Sequence, residues 1–229
     1  MRALLFTTGS PFARAVRIVL AELDLDYEKR EEITTPTVEE RAAATPTLQV
    51  PVLWDGDVQL WESGLIAEYL LSTYRERAAA QPPLAEAAWR SSHAWRDKLV
   101  LSTIQTMGAA ITTISQMKWA GVSLSENTHL QRSSDRLPYL LGWLEGQLAD
   151  DASGFLPGCL SLQDIFLACH IRFAENRPID LDPRLDDYPK VAALLSRLDR
   201  RASFRSCPIW WWEPGVTGYE DDGTPIYAR

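Results

Sequence analysis

The run Thr7-Thr8-Gly9-Ser10-Pro11-Phe12-Ala13-Arg14-Ala15-Val16-Arg17 leaves the chain few choices. It follows Ala3-Leu4-Leu5-Phe6, a short apolar segment bounded by turn formers, as a buried strand is. Gly9 punctuates, Ser10 is a preferred N-cap, and Pro11 suits the first helical position, where its missing N–H is not needed. The apolar residues from Phe12 to Leu23 predict a helix. Ser10 therefore stands where a strand ends and a helix begins, at the positive end of the helix dipole, which favours an anion. An ordinary helix cap explains the same serine equally well.

The next seventy residues build a small α/β unit. Leu25-Asp26-Tyr27-Glu28-Lys29 reads as a second strand, and Val38 to Ala43 as a weak helix. Leu48 to Trp54 and Asp57 to Trp61 are β-prone runs joined at Asp55-Gly56, a strong short-range hairpin signal. Pro51 belongs at the start or edge of its strand, because it donates no ladder bond. Glu62-Ser63-Gly64 opens another helix, with Ser63 again readable as a cap. The order β-α-β-α-β-β-α implies parallel pairing of the first two strands across a helical crossover.

Arg75 to Ala80 is charged and alanine-rich, and Gln81-Pro82-Pro83 stops any helix. The domain line falls there, giving residues 1–77 and 84–229. From Leu84 to Trp119 there is no proline and one glycine, so the pattern predicts a long helix, broken near Gly108, with Trp95, Leu99, Met107, Ile111 and Ile114 on its apolar positions. Asn127 to Leu148 predicts another, kinked or restarted at Pro138. Ser161-Leu162-Gln163-Asp164 is a capping-box pattern with Leu160 and Ile165 at the staple positions, and its serine and aspartate are structural. The tail carries Trp210-Trp211-Trp212. Packing on the helical domain and a lid over an apolar pocket both fit it.

Composition sets the outer limits. A chain of 229 residues with 46% hydrophobic and 24% charged residues is ordinary for a globular protein. A net charge of −8 argues against nucleic-acid or anionic-membrane partners. Three scattered cysteines and three scattered histidines give neither a disulfide framework nor a metal site. No secretory signal and no membrane-length apolar run is present, so a cytoplasmic location is expected.

Taken together, Ser10-Pro11-Phe12 with Val16-Arg17, Thr45-Pro46 through Val50-Pro51-Val52-Leu53, and Glu62-Ser63 before an apolar helix resemble the cytosolic glutathione S-transferase family, in its serine-type, bacterial-like form. The capping box at Ser161 and the run from Tyr188 to Phe204 extend the likeness to about Cys207. The resemblance implies an N-terminal thioredoxin-like domain followed by an all-helical C-terminal domain, an α/β plus all-α chain. It also implies glutathione as co-substrate, no metal, a small hydrophobic electrophile as second substrate, and a homodimer. Carried onto this sequence, Ser10 donates to the glutathione sulfur, with Thr7 and Thr8 as alternative hydroxyls. Val50, before a cis Pro51, pairs with the tripeptide backbone, and Ser63 takes the γ-glutamyl carboxylate while Glu62 helps hold the ammonium. Gln49 stands where the family often has a lysine for the glycyl carboxylate, and Thr45 where asparagine is usual. The electrophile site is expected near Phe12, Met107, Ile111 and Trp119. The implied activity is conjugation by an activated thiolate. Isomerase, dehalogenase and peroxidase variants, and a non-catalytic binding or assembly protein, are the alternatives. Serine at position 10 argues against thiol–disulfide exchange, since a hydroxyl forms no mixed disulfide.

Overall fold

A computed structural model describes residues 1–32, 36–79, 84–85, 94–151, 153–208, 216–219 and 225–227. Cα packing separates two units, Met1–Arg77 with Ser203–Arg229, and Ala78–Ala202. Ser203–Arg229 thus groups with the first unit, where the sequence pattern alone joins it to 84–202. The expected linker prolines and the three consecutive tryptophans lie outside the described residues.

The first unit runs β1 (Arg2–Phe6), α1 (Pro11–Glu22), β2 (Glu28–Glu31), α2 (Val38–Ala44), β3 (Val52–Asp55), β4 (Val58–Trp61), α3 (Ser63–Thr73) and a short α4 (Arg75–Ala78) that crosses the unit line. The sheet order is β2-β1-β3-β4. β1 pairs with β2 in parallel, Ala3 opposite Glu28, and with β3 antiparallel, Leu4 opposite Leu53. This is the thioredoxin-like arrangement. β2 begins three residues later than its alternating pattern suggests. Leu25 is buried as an anchor ahead of the strand, while all four residues of β2 are exposed. Its Glu-Lys-Arg-Glu sequence marks a charged edge that resists further pairing. The hairpin loop is Gly56-Asp57, one residue on from the expected turn, with Asp55 and Val58 as its closing pair and Gly56 at φ +62°. α1 packs beside α3 and is buried almost all round, with Leu4, Phe6, Ile18, Leu20, Leu53, Ile66 and Leu70 forming the core.

The second unit contains β5 (Leu84–Ala85), α5 (Ala94–Trp119), α6 (Thr128–Asp135), α7 (Leu137–Glu145), β6 (Leu160–Ser161), α8 (Leu162–Glu175) and α9 (Pro189–Leu198). Beyond it come α10 (Ala202–Arg205), β7 (Val216–Tyr219) and β8 (Pro225–Tyr227). Pro138 restarts the helix, as the second position of α7. α5 is unbroken through Gly108. That glycine is a packing device, since a Cβ there would meet the His170 ring of α8 at 2.3 Å. The apolar face of α5 is Ile104, Met107, Ile111 and Ile114, whereas Trp95 is 83% and Leu99 55% exposed.

The capping box forms as read. The Asp164 amide donates to Ser161 Oγ at 3.1 Å and the Ser161 amide to Asp164 Oδ2 at 2.9 Å. The other carboxylate oxygen accepts from the Phe155 amide at 3.0 Å. Gly154, at φ +128°, lies where a Cβ would meet that carboxylate at 2.7 Å. Replacing Asp164 with alanine strands the buried Ser161 amide and the part-buried Phe155 amide. At roughly 1–3 kcal/mol for each buried unsatisfied group, Asp164→Ala is expected to cost about 3 kcal/mol in urea denaturation.

His170 is fully buried, and desolvation pushes its pKa down from 6.5 to about 3. Below pH 6.5 the unfolded chain takes up this proton and the folded chain does not. The contribution is therefore intact above 6.5 and lost as pH falls towards 3. Stability should lose roughly 1.4 kcal/mol per pH unit from this group across that window. Unfolding free energies from urea titrations between pH 7 and 4 should fall less steeply by that amount in His170→Asn.

Candidate functional site

Ser10 sits at the N-cap of α1 with extended backbone angles, φ −85° and ψ 121°. Its amide donates to the Thr7 carbonyl at 3.1 Å, which closes the turn out of β1. Its Oγ accepts from the Ala13 amide at 3.2 Å, and its carbonyl accepts from the Arg14 amide at 2.9 Å. A hydroxyl has two lone pairs and one proton, so capping leaves the proton to donate. Donation to Oγ by Ala13 also strengthens that proton as a donor. Thr8 differs. It is buried, and its hydroxyl is committed to the Glu31 carboxylate.

The segment ahead of β3 is held by side chains. Thr45 is buried and its Oγ1 lies 3.0 Å from Thr47 Oγ1. Arg41 donates from Nη1 to the Leu48 carbonyl at 2.9 Å and pairs through Nη2 with Glu32. Burial raises the Glu32 pKa, and Arg41 offsets part of that rise. Arg41 is thus a brace for the loop. Gln49 is exposed and Val50 half-buried, and the Val50–Pro51 bond is cis. Val50 and Pro51 lead directly into β3, an interior strand paired with β1 and β4.

Glu62, not Ser63, is the N-cap of α3. Its φ of +69° is left-handed for a residue with a Cβ, and its exposed side chain makes no capping bond. Such strain costs on the order of 1–3 kcal/mol and concentrates at ligand clamps. Ser63 is buried at the first helical position, so its hydroxyl does not serve the cap role that its sequence position suggests. Cis Pro51, strained Glu62 and buried Ser63 follow one another along the β3–β4 hairpin and its exit, on the same unit as Ser10.

Cys159 borders a separate cavity of about 200 Å³ in the second unit, with Ser153, Arg197 and Arg201. Burial, with Asp164 and Asp97 nearby, pushes its thiol pKa up to about 11, so it stays protonated. Among the described residues no group of three or more metal-ligating side chains is found, and no helix is long and apolar enough to cross a membrane. The sequence reading did not anticipate Arg14 and Arg17, which α1 carries inward to 5% and 7% exposure. Their spacing from Ser10, four and seven residues, was the available signal.

Two family models match the chain. Residues 4–78 match the glutathione S-transferase N-terminal domain, and residues 127–197 match the glutathione S-transferase C-terminal domain. The glutathione S-transferase-like protein tpcF of Aspergillus fumigatus is 43% identical over 70 residues, covering 29% of this chain and 31% of that protein. The dichloromethane dehalogenase of Methylophilus leisingeri is 25% identical over 224 residues, covering 93% of this chain and 80% of that protein. Among solved structures, a glutathione S-transferase of Methylobacterium radiotolerans in complex with glutathione sulfonate superposes with a TM-score of 0.71 at 23% identity. The superposition covers 89% of this chain and 92% of that one, and carries the fold. With its N-terminal and C-terminal halves both matched and its sheet in thioredoxin-like order, the chain belongs to the glutathione S-transferase family.

Proposed function

We propose that the protein binds glutathione and activates its thiol for attack on small electrophiles. The observation that carries this reading is the Ser10 hydroxyl, which accepts from the Ala13 amide and keeps its own proton for a sulfur. A free thiol near pKa 8.5 is largely protonated at neutral pH, and the thiolate is the nucleophile. Lowering that pKa by about two units takes roughly 2.7 kcal/mol of preferential thiolate stabilisation. A charge-assisted hydrogen bond from Ser10, plus the positive end of α1, is of that order. The sulfur then forms a bond to the electrophilic carbon, and the leaving group departs with the bonding pair. The thiol proton passes to water, and no protein base is required.

The remaining contacts follow the tripeptide. The Val50 backbone pairs with it as an added strand. Ser63 and the N-terminus of α3 take the γ-glutamyl carboxylate, with Glu62 beside the ammonium. Gln49 gives the glycyl carboxylate a neutral donor. The working form is a cytoplasmic homodimer, for which the exposed Trp95 and Leu99 of α5 supply apolar surface. Halide displacement is the second reading, favoured by the near full-length match to a dichloromethane dehalogenase. It uses the same thiolate and differs only in the carbon attacked, so halide release from a haloalkane distinguishes it from ring substitution.

The ultraviolet thiolate absorbance of bound glutathione, followed against pH, tests the central step. The parent should titrate about two units below the free thiol, and Ser10→Ala should return towards 8.5 with kcat/KM lower by roughly 100-fold. Loss of the cap also costs about 1 kcal/mol of stability, so both proteins are compared well below their melting temperatures. Binding without a pKa shift in the parent would remove Ser10 from the activating role. For Gln49→Lys, replacing a neutral donor by a charged one should lower KM for glutathione severalfold, about 1 kcal/mol, with kcat unchanged. An unchanged KM would place the glycyl carboxylate away from residue 49.

A further inference from the structure

Among the described residues no carboxylate pairs with the buried Arg14 and Arg17. Arg14 donates from Nε to the Cys207 carbonyl at 2.7 Å and from Nη2 to the Phe204 carbonyl at 3.4 Å. Its guanidinium also lies 5.6 Å from the centre of the Phe204 ring. It therefore ties the end of α10 to α1 within the first unit. Arg17 lies over the Phe6 ring at 4.7 Å, beside Tyr27. Burial raises the Tyr27 pKa, and the Arg17 charge and a side-chain hydrogen bond from Arg17 lower it in part. Arg14 Nη1 and Arg17 Nε and Nη1 are buried with no hydrogen-bond partner. Among the described residues neither arginine has an ion pair. Cys207 and Glu31 also act on Tyr27, and Glu31 accepts from Thr8.

Buried guanidinium N–H groups without an acceptor are costly, and they are the donors best matched to oxyanions. Their direction matters as much as their number. Ser10, Arg14 and Arg17 fall at i, i+4 and i+7, one stripe of the helix. Side chains on a helix lean back towards its N-terminus, here towards Ser10. The seat of Arg17 on Phe6, four residues before Ser10, agrees with that lean. Along the axis Ser10 and Arg17 are separated by about 10 Å at 1.5 Å per residue.

We propose that Arg17, backed by Arg14 and Tyr27, holds a carboxylate on the electrophile, so that the preferred second substrates are organic acids and not purely apolar compounds. The assignment rests on the thiolate reading of Ser10. In the assay, the glutathione sulfur bonds to the chlorine-bearing ring carbon of 4-chloro-3-nitrobenzoate and chloride leaves with the bonding pair. The neutral comparison is 4-chloro-3-nitrobenzamide, with the same leaving group.

In the parent, KM for the benzoate should lie at least tenfold below that for the benzamide. Arg17→Met should raise KM for the benzoate about tenfold and leave the benzamide within twofold, and Arg17→Lys should recover part of the loss. Because removing a buried arginine can unsettle the fold, the parent's own discrimination and the lysine variant are read first. Thermal protection without glutathione, by 4-nitrobenzoate against 4-nitrobenzamide, separates the two readings. Turnover of both chloronitro compounds with equal KM, and equal protection by both probes, overturns the anion site and leaves the transferase reading standing. Selective protection by 4-nitrobenzoate, lost in Arg17→Met, with no turnover of either compound, supports the anion site and removes the transferase reading. Protection by inorganic phosphate equal to that by 4-nitrobenzoate overturns the assignment to a substrate carboxylate.

Discussion

Helix α1 packs on α3, on Phe6 of the sheet and on Ser203, Phe204 and Cys207, and among its residues only Ala21 is exposed. A helix held on so many sides cannot rotate or slide without opening the core. Full burial of Val16, Ile18, Val19 and Leu20 is worth on the order of 1.5–3 kcal/mol each. That apolar grip fixes where Ser10 points, because the cap residue inherits the register of its helix. It also carries Arg14 and Arg17 inward, where desolvation penalises a charge that lacks a partner. Backbone carbonyls and aromatic faces meet part of this demand. The same constraint that orients the hydroxyl therefore creates the buried cations.

Capping and chemistry are not rivals at Ser10. The cap uses a lone pair, whereas a thiolate needs the proton, and one hydroxyl has both. At the second junction the roles separate. Glu62 takes the cap position in a strained backbone conformation and its side chain contributes nothing to the cap. Ser63 moves inside the first turn, buried and relieved of the capping role. A helix that forgoes a side-chain cap gives up about 1 kcal/mol. An end left this way retains its orientation towards an anion, which is the arrangement expected of a ligand clamp.

Local signals made much of this legible. Strand, turn and helix at Phe6 to Pro11, the hairpin at Gly56, and the capping box at Ser161 and Asp164 each depend on a few neighbouring residues. Register was less legible. β2 is displaced towards the charged residues 28–31, because parallel pairing to β1 decides the strand and Leu25 serves as a core anchor. Gly108 reads as a breaker in sequence, yet α5 passes through it because the His170 ring occupies the missing side-chain space. Trp95 and Leu99 follow the helical period and still face outward, since period fixes a stripe and not the partner that covers it. Ser63 was found for its hydroxyl, but the helix started one residue earlier than a capping serine requires.

The distribution of charge around α1 runs opposite to what the family resemblance alone suggests. In the segment ahead of β3 the guanidinium of Arg41 is spent on Glu32 and the Leu48 carbonyl, and the residue ahead of Val50 is neutral. On α1 itself, two guanidiniums are buried without an ion pair among the described residues. Electrostatic attraction strengthens as water is removed, so a buried cation discriminates between charged and neutral ligands far better than an exposed one. Glutathione can be held by its backbone and its γ-glutamyl end, which need no cation at residue 49. The electrophile has no such backbone to pair, and a single carboxylate on a buried guanidinium is enough to orient it. The protein would then place its strongest electrostatic selection on the molecule being attacked, and leave the thiol donor to be recognised through hydrogen bonds.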